Sequence, residues 1–226
     1  MRTKQKGQKL LIIGVFALAV FLLWTLLIQT VDVRPVGQEG TEIGFAALNT
    51  RFHELTGVHM SIYHATDLLE LLAIAVCVFF GGVGLVQLIK RKSLFKVDAD
   101  ILLLGGYYIV VICCYLFFEK FPVNYRPVLI EGVLEASYPS STTLLVLSVM
   151  PTLVFQTNRR VKDAAWRILV DVPAILFALF ILVARTVAGV HWLTDIIGAI
   201  LLSAALYLLY RACVCFFADG KNVSEK

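Results

Sequence analysis

The sequence predicts an all-α polytopic membrane protein, a bundle of six transmembrane helices making one domain over residues 1–226. Three observations lead there. The chain is 59% apolar and only 16% charged, with a mean hydropathy of +0.84, far from the composition of an ordinary soluble domain. Six apolar runs approach or exceed the length a helix needs to cross hydrocarbon, where backbone groups must be satisfied within the protein. The basic residues alternate from one side to the other at each crossing.

The first run, Leu10 to Val31, follows a basic flank at 1–9. It exceeds the about 7–15 residues of a cleavable signal core and lacks a small-residue cleavage pattern, so it reads as an uncleaved first span. The other spans are expected at 66–89, 99–118, 140–156, 167–185 and 192–211. Asp67, Glu70, Asp100 and Asp171 interrupt them near their ends or on faces that can turn into the bundle, and the short fourth span contains Pro151. With a cytoplasmic N-terminus, fifteen of the twenty Lys and Arg fall on the inner side, including Lys221 and Lys226 of the tail. Only Arg34, Arg51, Lys120, Arg126 and Arg185 lie outside. Both termini are therefore expected in the cytoplasm. The outer side carries connections at 32–65 and 119–139 and a turn at 186–191, the first expected to fold back over the bundle as short or interfacial segments.

Other classes recede on the same grounds. A formal charge of +4, scattered along the chain, is no nucleic-acid footprint. Cysteines 77, 113, 114, 213 and 215 sit in or beside apolar runs rather than in a spaced framework, and with only four His neither a disulfide scaffold nor a metal or other cofactor is expected. The NVS at 222–224 matches a glycosylation acceptor but falls on the expected cytoplasmic side.

The chemistry is expected at the outer ends of the helices. Lys120, Arg126 and Arg185 collect there, and such cations give charge-assisted hydrogen bonds to phosphate oxygens. Tyr138-Pro139-Ser140-Ser141-Thr142-Thr143 precedes span four; it reads as a helix cap, and the same geometry offers backbone N–H groups to a phosphate. In Arg185-Thr-Val-Ala-Gly-Val-His191-Trp-Leu-Thr-Asp195, a spacing of four is expected to put His191 and Asp195 on one helical face. The carboxylate could then hold an imidazole tautomer and leave the other nitrogen free to attack.

These segments, KFPVNYRP (120–127), YPSST (138–142) and ARTVAGVHWLTD (184–195), resemble in order and spacing the three signature motifs of the membrane type 2 phosphatidic acid phosphatase superfamily. The resemblance implies phosphoryl transfer through a phosphohistidine, with His191 as nucleophile and Asp195 as its orienting partner. Arg126, Arg185 and Lys120 would clamp the phosphoryl oxygens, with Ser140 and the Ser141 backbone N–H as further donors. Three departures stand out. Lys120 is one position late, the family's place being taken by Glu119; Ala184 replaces a Ser; and PSST replaces PSGH, so Thr142 stands where an acid His is expected. Loss of a general acid costs about 10²–10⁴ in rate, which favours a leaving group that is itself a phosphate, or a substitute donor. His64 is the favoured substitute, with Glu131 and Glu135 in the motif-bearing loop. The expected partners are bilayer lipids and a phosphorylated lipid substrate, such as a polyprenyl pyrophosphate, phosphatidate or phosphatidylglycerophosphate. The expected function is a lipid phosphatase acting at the outward face of a cell membrane; a lipid-phosphate binding or transport protein is the alternative.

Overall fold

The computed structural model describes residues 2–219 and is all-α. Lys221, Lys226 and the NVS at 222–224 lie outside the described residues. The helices are α1 (Arg2–Ile28), α2 (Ala46–Thr56), α3 (Met60–Arg91), α4 (Ala99–Lys120), α5 (Ser141–Arg160), α6 (Ala164–Ala188) and α7 (Leu193–Cys213), which runs on into a π-helical turn at Val214–Ala218. α2 is the folded-back segment expected in the first outer connection, at 11 residues far too short to cross a bilayer.

Five helices, α1, α3, α4, α6 and the α7 segment to Ala218, are long and apolar enough to span a membrane, which makes this a multi-pass membrane protein. The sixth expected span, α5, is 20 residues long but does not meet the apolar criterion. Its position supplies the reason. α5 packs against α3, α4, α6 and α7 and buries Thr142, Thr143, Ser148, Thr152, Gln156 and Thr157. A helix enclosed by protein needs no lipid-compatible surface, provided its polar groups find partners inside. Thr152 and Gln156 do: the Tyr108 hydroxyl lies 2.7 Å from Thr152 Oγ1 and Gln156 donates to the Tyr210 hydroxyl at 2.9 Å; Tyr107 donates to the Ser148 carbonyl at 3.0 Å, while Ser148 Oγ is buried without a hydrogen-bond partner. By contrast, the outer helices expose Ile12, Phe16, Val78, Phe79, Ile109 and Phe180, apolar side chains that hydrocarbon would cover.

Helix ends follow the local chemistry. Asp163 caps α6, its carboxylate accepting from the backbone N–H groups of Ala165 and Trp166 at 2.8 and 3.2 Å. The second expected span, 66–89, is longer than expected, because Ser61 to Asp67 continue the helix back to Met60. Two of the charges expected inside spans find partners here. Asp100 is paired with Arg159 at 3.3 Å and Arg160 at 2.8 Å, and Asp171 accepts from Asn158 at 2.5 Å.

α1 lies along α7 and is joined to the outer connections through Tyr138. The Tyr138 ring stacks on Phe21 with 6.2 Å between centroids, meets Phe118 edge-on at 5.5 Å, and its hydroxyl lies 2.7 Å from Thr25 Oγ1. Gly198 of α7 admits this ring: a Cβ there would stand 2.3 Å from Tyr138 Cε2. Gly198→Ala is therefore expected to destabilise the fold by about 1–3 kcal/mol through overpacking, read as a lowered melting temperature of the purified protein in detergent.

Candidate active site

One end of the bundle brings three segments onto one imidazole. α6 stops at Gly189, whose φ of +69° starts the turn that carries His191. Only glycine suits this position, since a Cβ would also lie 1.8 Å from the Gly57 carbonyl oxygen. Trp192 caps α7, and Asp195, in the first turn, accepts its backbone N–H at 2.9 Å. The expectation that His191 and Asp195 share a helical face is thereby corrected: His191 precedes the helix, and its contact with Asp195 is made through a third residue. That residue is Ser137. Its hydroxyl donates to Asp195 Oδ2 at 2.5 Å and lies 3.1 Å from His191 Nδ1. Asn124 donates to the other carboxylate oxygen at 2.9 Å.

The partners of the His191 ring fix its tautomer. Nδ1 lies 3.1 Å from the Ser137 carbonyl oxygen, which can only accept, so Nδ1 carries the proton. Nε2 is left with its lone pair, and Arg185 Nη2, which can only donate, lies 3.2 Å away. Burial first, then the charges of Arg126 and Arg185, hold the His191 imidazole well below the usual histidine range, keeping it neutral.

Both arginines are buried, Arg126 at 7% and Arg185 at 1% exposure. Arg185 donates to Asp67 at 2.7 Å and Thr66 at 3.1 Å, both on α3. The Tyr63 ring lies beneath both guanidiniums, 4.8 Å from Arg185 and 5.4 Å from Arg126. Arg126 meets Glu135 at 3.1 Å. Its Nη1, like Arg185 Nε, is buried without a hydrogen-bond partner. Unpaired cationic donors in a buried site are costly unless an anion completes them.

A cavity of about 210 Å³ opens in front of this group, lined by Tyr115, Glu119, Arg126, Glu135, Ser137, Ser141 and His191 among others. Through Tyr115 and Ser141 it adjoins a second cavity of about 440 Å³, bordered by Ile74, Val111, Ile112, Leu145 and Val149 of α3, α4 and α5. Of the residues expected to form the site, His191, Asp195, Arg185 and Arg126 come together, and Ser141 borders the cavity at the start of α5. Ser140 is buried behind it, its hydroxyl 3.0 Å from Thr143 Oγ1. Thr142 is also buried and is not among the lining residues. Lys120 is exposed at the end of α4, and Glu119 takes the lining position instead. His64 is exposed on α3, its ring 5.1 Å from that of Tyr63, and does not line the cavity.

The sequence reading missed Ser137, Asn124, Tyr63 and Thr66, and did not connect Asp67 or Glu135 to the arginines. Tyr63, Thr66, Asp67 and Glu70 recur at helical spacing, a signal that one face of α3 is polar. Ser137 and Asn124 lie in irregular connections and carry no periodic signal. Among the described residues, no group of three or more His, Cys, Asp or Glu is placed to hold a metal ion.

A neutral, buried histidine beside two buried arginines thus stands at one end of a membrane-spanning bundle. The chain belongs to the PAP2 superfamily: the family profile matches residues 101–217, a stretch that contains Arg126, Ser137, Arg185, His191 and Asp195. It is a membrane protein of the PAP2-like phosphatase class. Its fold is similar to the crystal structure of the first transmembrane PAP2-type phosphatidylglycerolphosphate phosphatase from Bacillus subtilis, with a TM-score of 0.62, 16% identity, and coverage of 94% of this chain and 97% of the other. No curated protein sequence gives a significant match.

The tautomer and the lowered pKa are directly observable. Histidine ¹⁵N spectra should show His191 as the Nδ1–H form, unprotonated across pH 8 to about 6; titration at an ordinary histidine pKa of about 6.5 would contradict the assignment. The sign for stability follows. Because the unfolded histidine gains a proton more readily than the folded one, its contribution to stability is present above the unfolded pKa and declines as pH falls below about 6.5.

Proposed function

We propose that this protein is a lipid phosphate or pyrophosphate phosphatase that works through a phosphohistidine at His191, at the outward face of a cell membrane. The observation that carries this reading is the state of His191: Nδ1 is held protonated by Ser137 while Nε2 keeps its lone pair beside the guanidinium of Arg185. This is what an imidazole nucleophile requires.

Arg126 receives the phosphoryl oxygens, with Ser141 and the N-terminus of α5 on the same cavity, and Arg185, behind the cavity wall, adds its charge from beside His191 Nε2. Their charge stabilises the transferring group, the main resource in phosphoryl transfer. As Nε2 attacks phosphorus, the ring becomes cationic, and the Ser137 hydroxyl conveys the Asp195 charge to Nδ1–H. Asp67 and Thr66 keep Arg185 in place during this step. The apolar cavity of about 440 Å³ beside the site supports an amphiphilic substrate, whose hydrocarbon chain lies against α3, α4 and α5 while the phosphate meets His191. The burial of Thr142 away from the cavity favours substrates whose leaving group departs without a strong acid, as a lipid monophosphate does from a pyrophosphate.

Release of phosphate by the purified protein from polyprenyl pyrophosphate, phosphatidate and phosphatidylglycerophosphate tests the reading. His191→Ala should reduce release to background with lipid binding retained. Binding by the parent without release from any of the three would favour the binding or transport function instead. Ser137→Ala should lower kcat by about tenfold to a hundredfold, the usual cost of losing a group that orients a functional histidine. Orientation is checked separately: a cysteine at Glu131 should react with an impermeant maleimide on intact cells, whereas one at Lys92 should react only after permeabilisation.

A further inference from the structure

We propose that Glu119 is the proton donor to the leaving group, replacing the histidine absent from the second motif. The assignment rests on the phosphatase reading above and adds the acid that reading leaves unfilled. Glu119 is in the last turn of α4 and lines the cavity that holds Arg126 and His191. A volume near 210 Å³ is about 7 Å across if round, little wider than a phosphoryl group with its hydrogen-bond contacts. A phosphate touching His191 and the unpartnered Nη1 of Arg126, which is more than nine-tenths buried, therefore shares this small cavity with Glu119.

The other groups around this cavity are less suited to donation. Glu135 is ion-paired with Arg126 at 3.1 Å, so its carboxylate is already engaged. Thr142 does not reach the cavity, and the His64 ring is on the exposed side of α3. Among the described residues the Glu119 carboxylate has no ion-pair partner, and it is exposed enough to exchange a proton with water. The charged and titratable groups that face it are Tyr115 on its own helix, Arg126 and Glu135 of the following connection, and His191 ahead of α7; Glu70 of α3 borders the adjoining apolar cavity with Tyr115.

In the first step the Nε2 lone pair of His191 forms a bond to phosphorus as the bond from phosphorus to the lipid oxygen breaks. The electron pair left on that oxygen takes the proton from Glu119. In the second step the Glu119 carboxylate accepts a proton from water, the water oxygen bonds to phosphorus, and the bond from phosphorus to Nε2 breaks. This releases phosphate and restores both residues.

The test is the pH dependence of kcat for the parent, Glu119→Gln and Glu135→Gln on a lipid phosphomonoester and a lipid pyrophosphate, with His191→Ala as the blank. Glu119→Gln is expected to lower kcat on the monoester by about 10²–10³, with little change in KM, and to remove the fall in rate on the alkaline side. On the pyrophosphate the loss should be below about tenfold, because the departing phosphate needs little protonation. Glu135→Gln should raise KM and leave the alkaline limb in place. An active parent matched by Glu119→Gln in rate and pH profile, or a Glu119→Gln loss equal on both substrates, overturns the assignment. No His191-dependent release by the parent on either lipid overturns the phosphatase reading and the assignment with it.

Discussion

The carboxylate of Asp195 holds the outer end of this protein together. Wholly buried, it accepts hydrogen bonds from Ser137 Oγ, Asn124 Nδ2 and the backbone N–H of Trp192. These donors belong to both ends of the long connection after α4 and to the cap of α7, so one charge fixes the relative positions of three stretches of chain. A buried carboxylate is tolerated only when its lone pairs are so occupied. Breaking any one bond leaves the other groups under-satisfied, which couples the architecture of the loop to the chemistry of the imidazole. Thr194 extends the arrangement: its hydroxyl accepts from Asn49 of α2 at 3.0 Å, and its carbonyl accepts from Trp24 of α1 at 3.2 Å. The two N-terminal helices are thus tied to the turn that presents His191.

Much of this was legible in the sequence, for identifiable reasons. The lipid-facing helices announce themselves because hydrocarbon tolerates few polar side chains, and the arginines and histidine stand out because charge at a membrane boundary is rare without a partner. The spacing of His191 and Asp195 was legible as a pairing but not as a geometry. Residues four apart meet directly only within a helix, and here Gly189 has already ended one helix before Trp192 caps the next. The mediating Ser137 is 54 residues away in the chain, a juxtaposition that no local pattern encodes. Lys120 was misread for a related reason. The end of α4 turns Glu119, not its neighbour, toward the cavity, and a shift of one residue on a helix rotates a side chain by about 100°.

α5 shows how a hydropathy criterion depends on neighbours. Its apolar character is the lowest of the long helices; packed among other helices, its Thr152 and Gln156 side chains bond to Tyr108 and Tyr210, and its Ser148 carbonyl accepts from Tyr107. The helix that opens at the cavity, through Ser141, is therefore also enclosed by other helices. A start point so enclosed has little freedom to drift, which suits a group that must meet phosphoryl oxygens at hydrogen-bond distance.

The shared Tyr63 ring beneath Arg126 and Arg185 has a thermodynamic consequence. The two guanidiniums beside this ring repel each other, and the ring, with Asp67 on Arg185 and Glu135 on Arg126, offsets part of that repulsion. With no anion present, the folded protein therefore carries an electrostatic burden concentrated at its outer end. A bound oxyanion would relieve it, acting as a counter-ion that completes the native state. Membranes rich in phosphorylated lipid would in this way select for the folded bundle before any bond is broken.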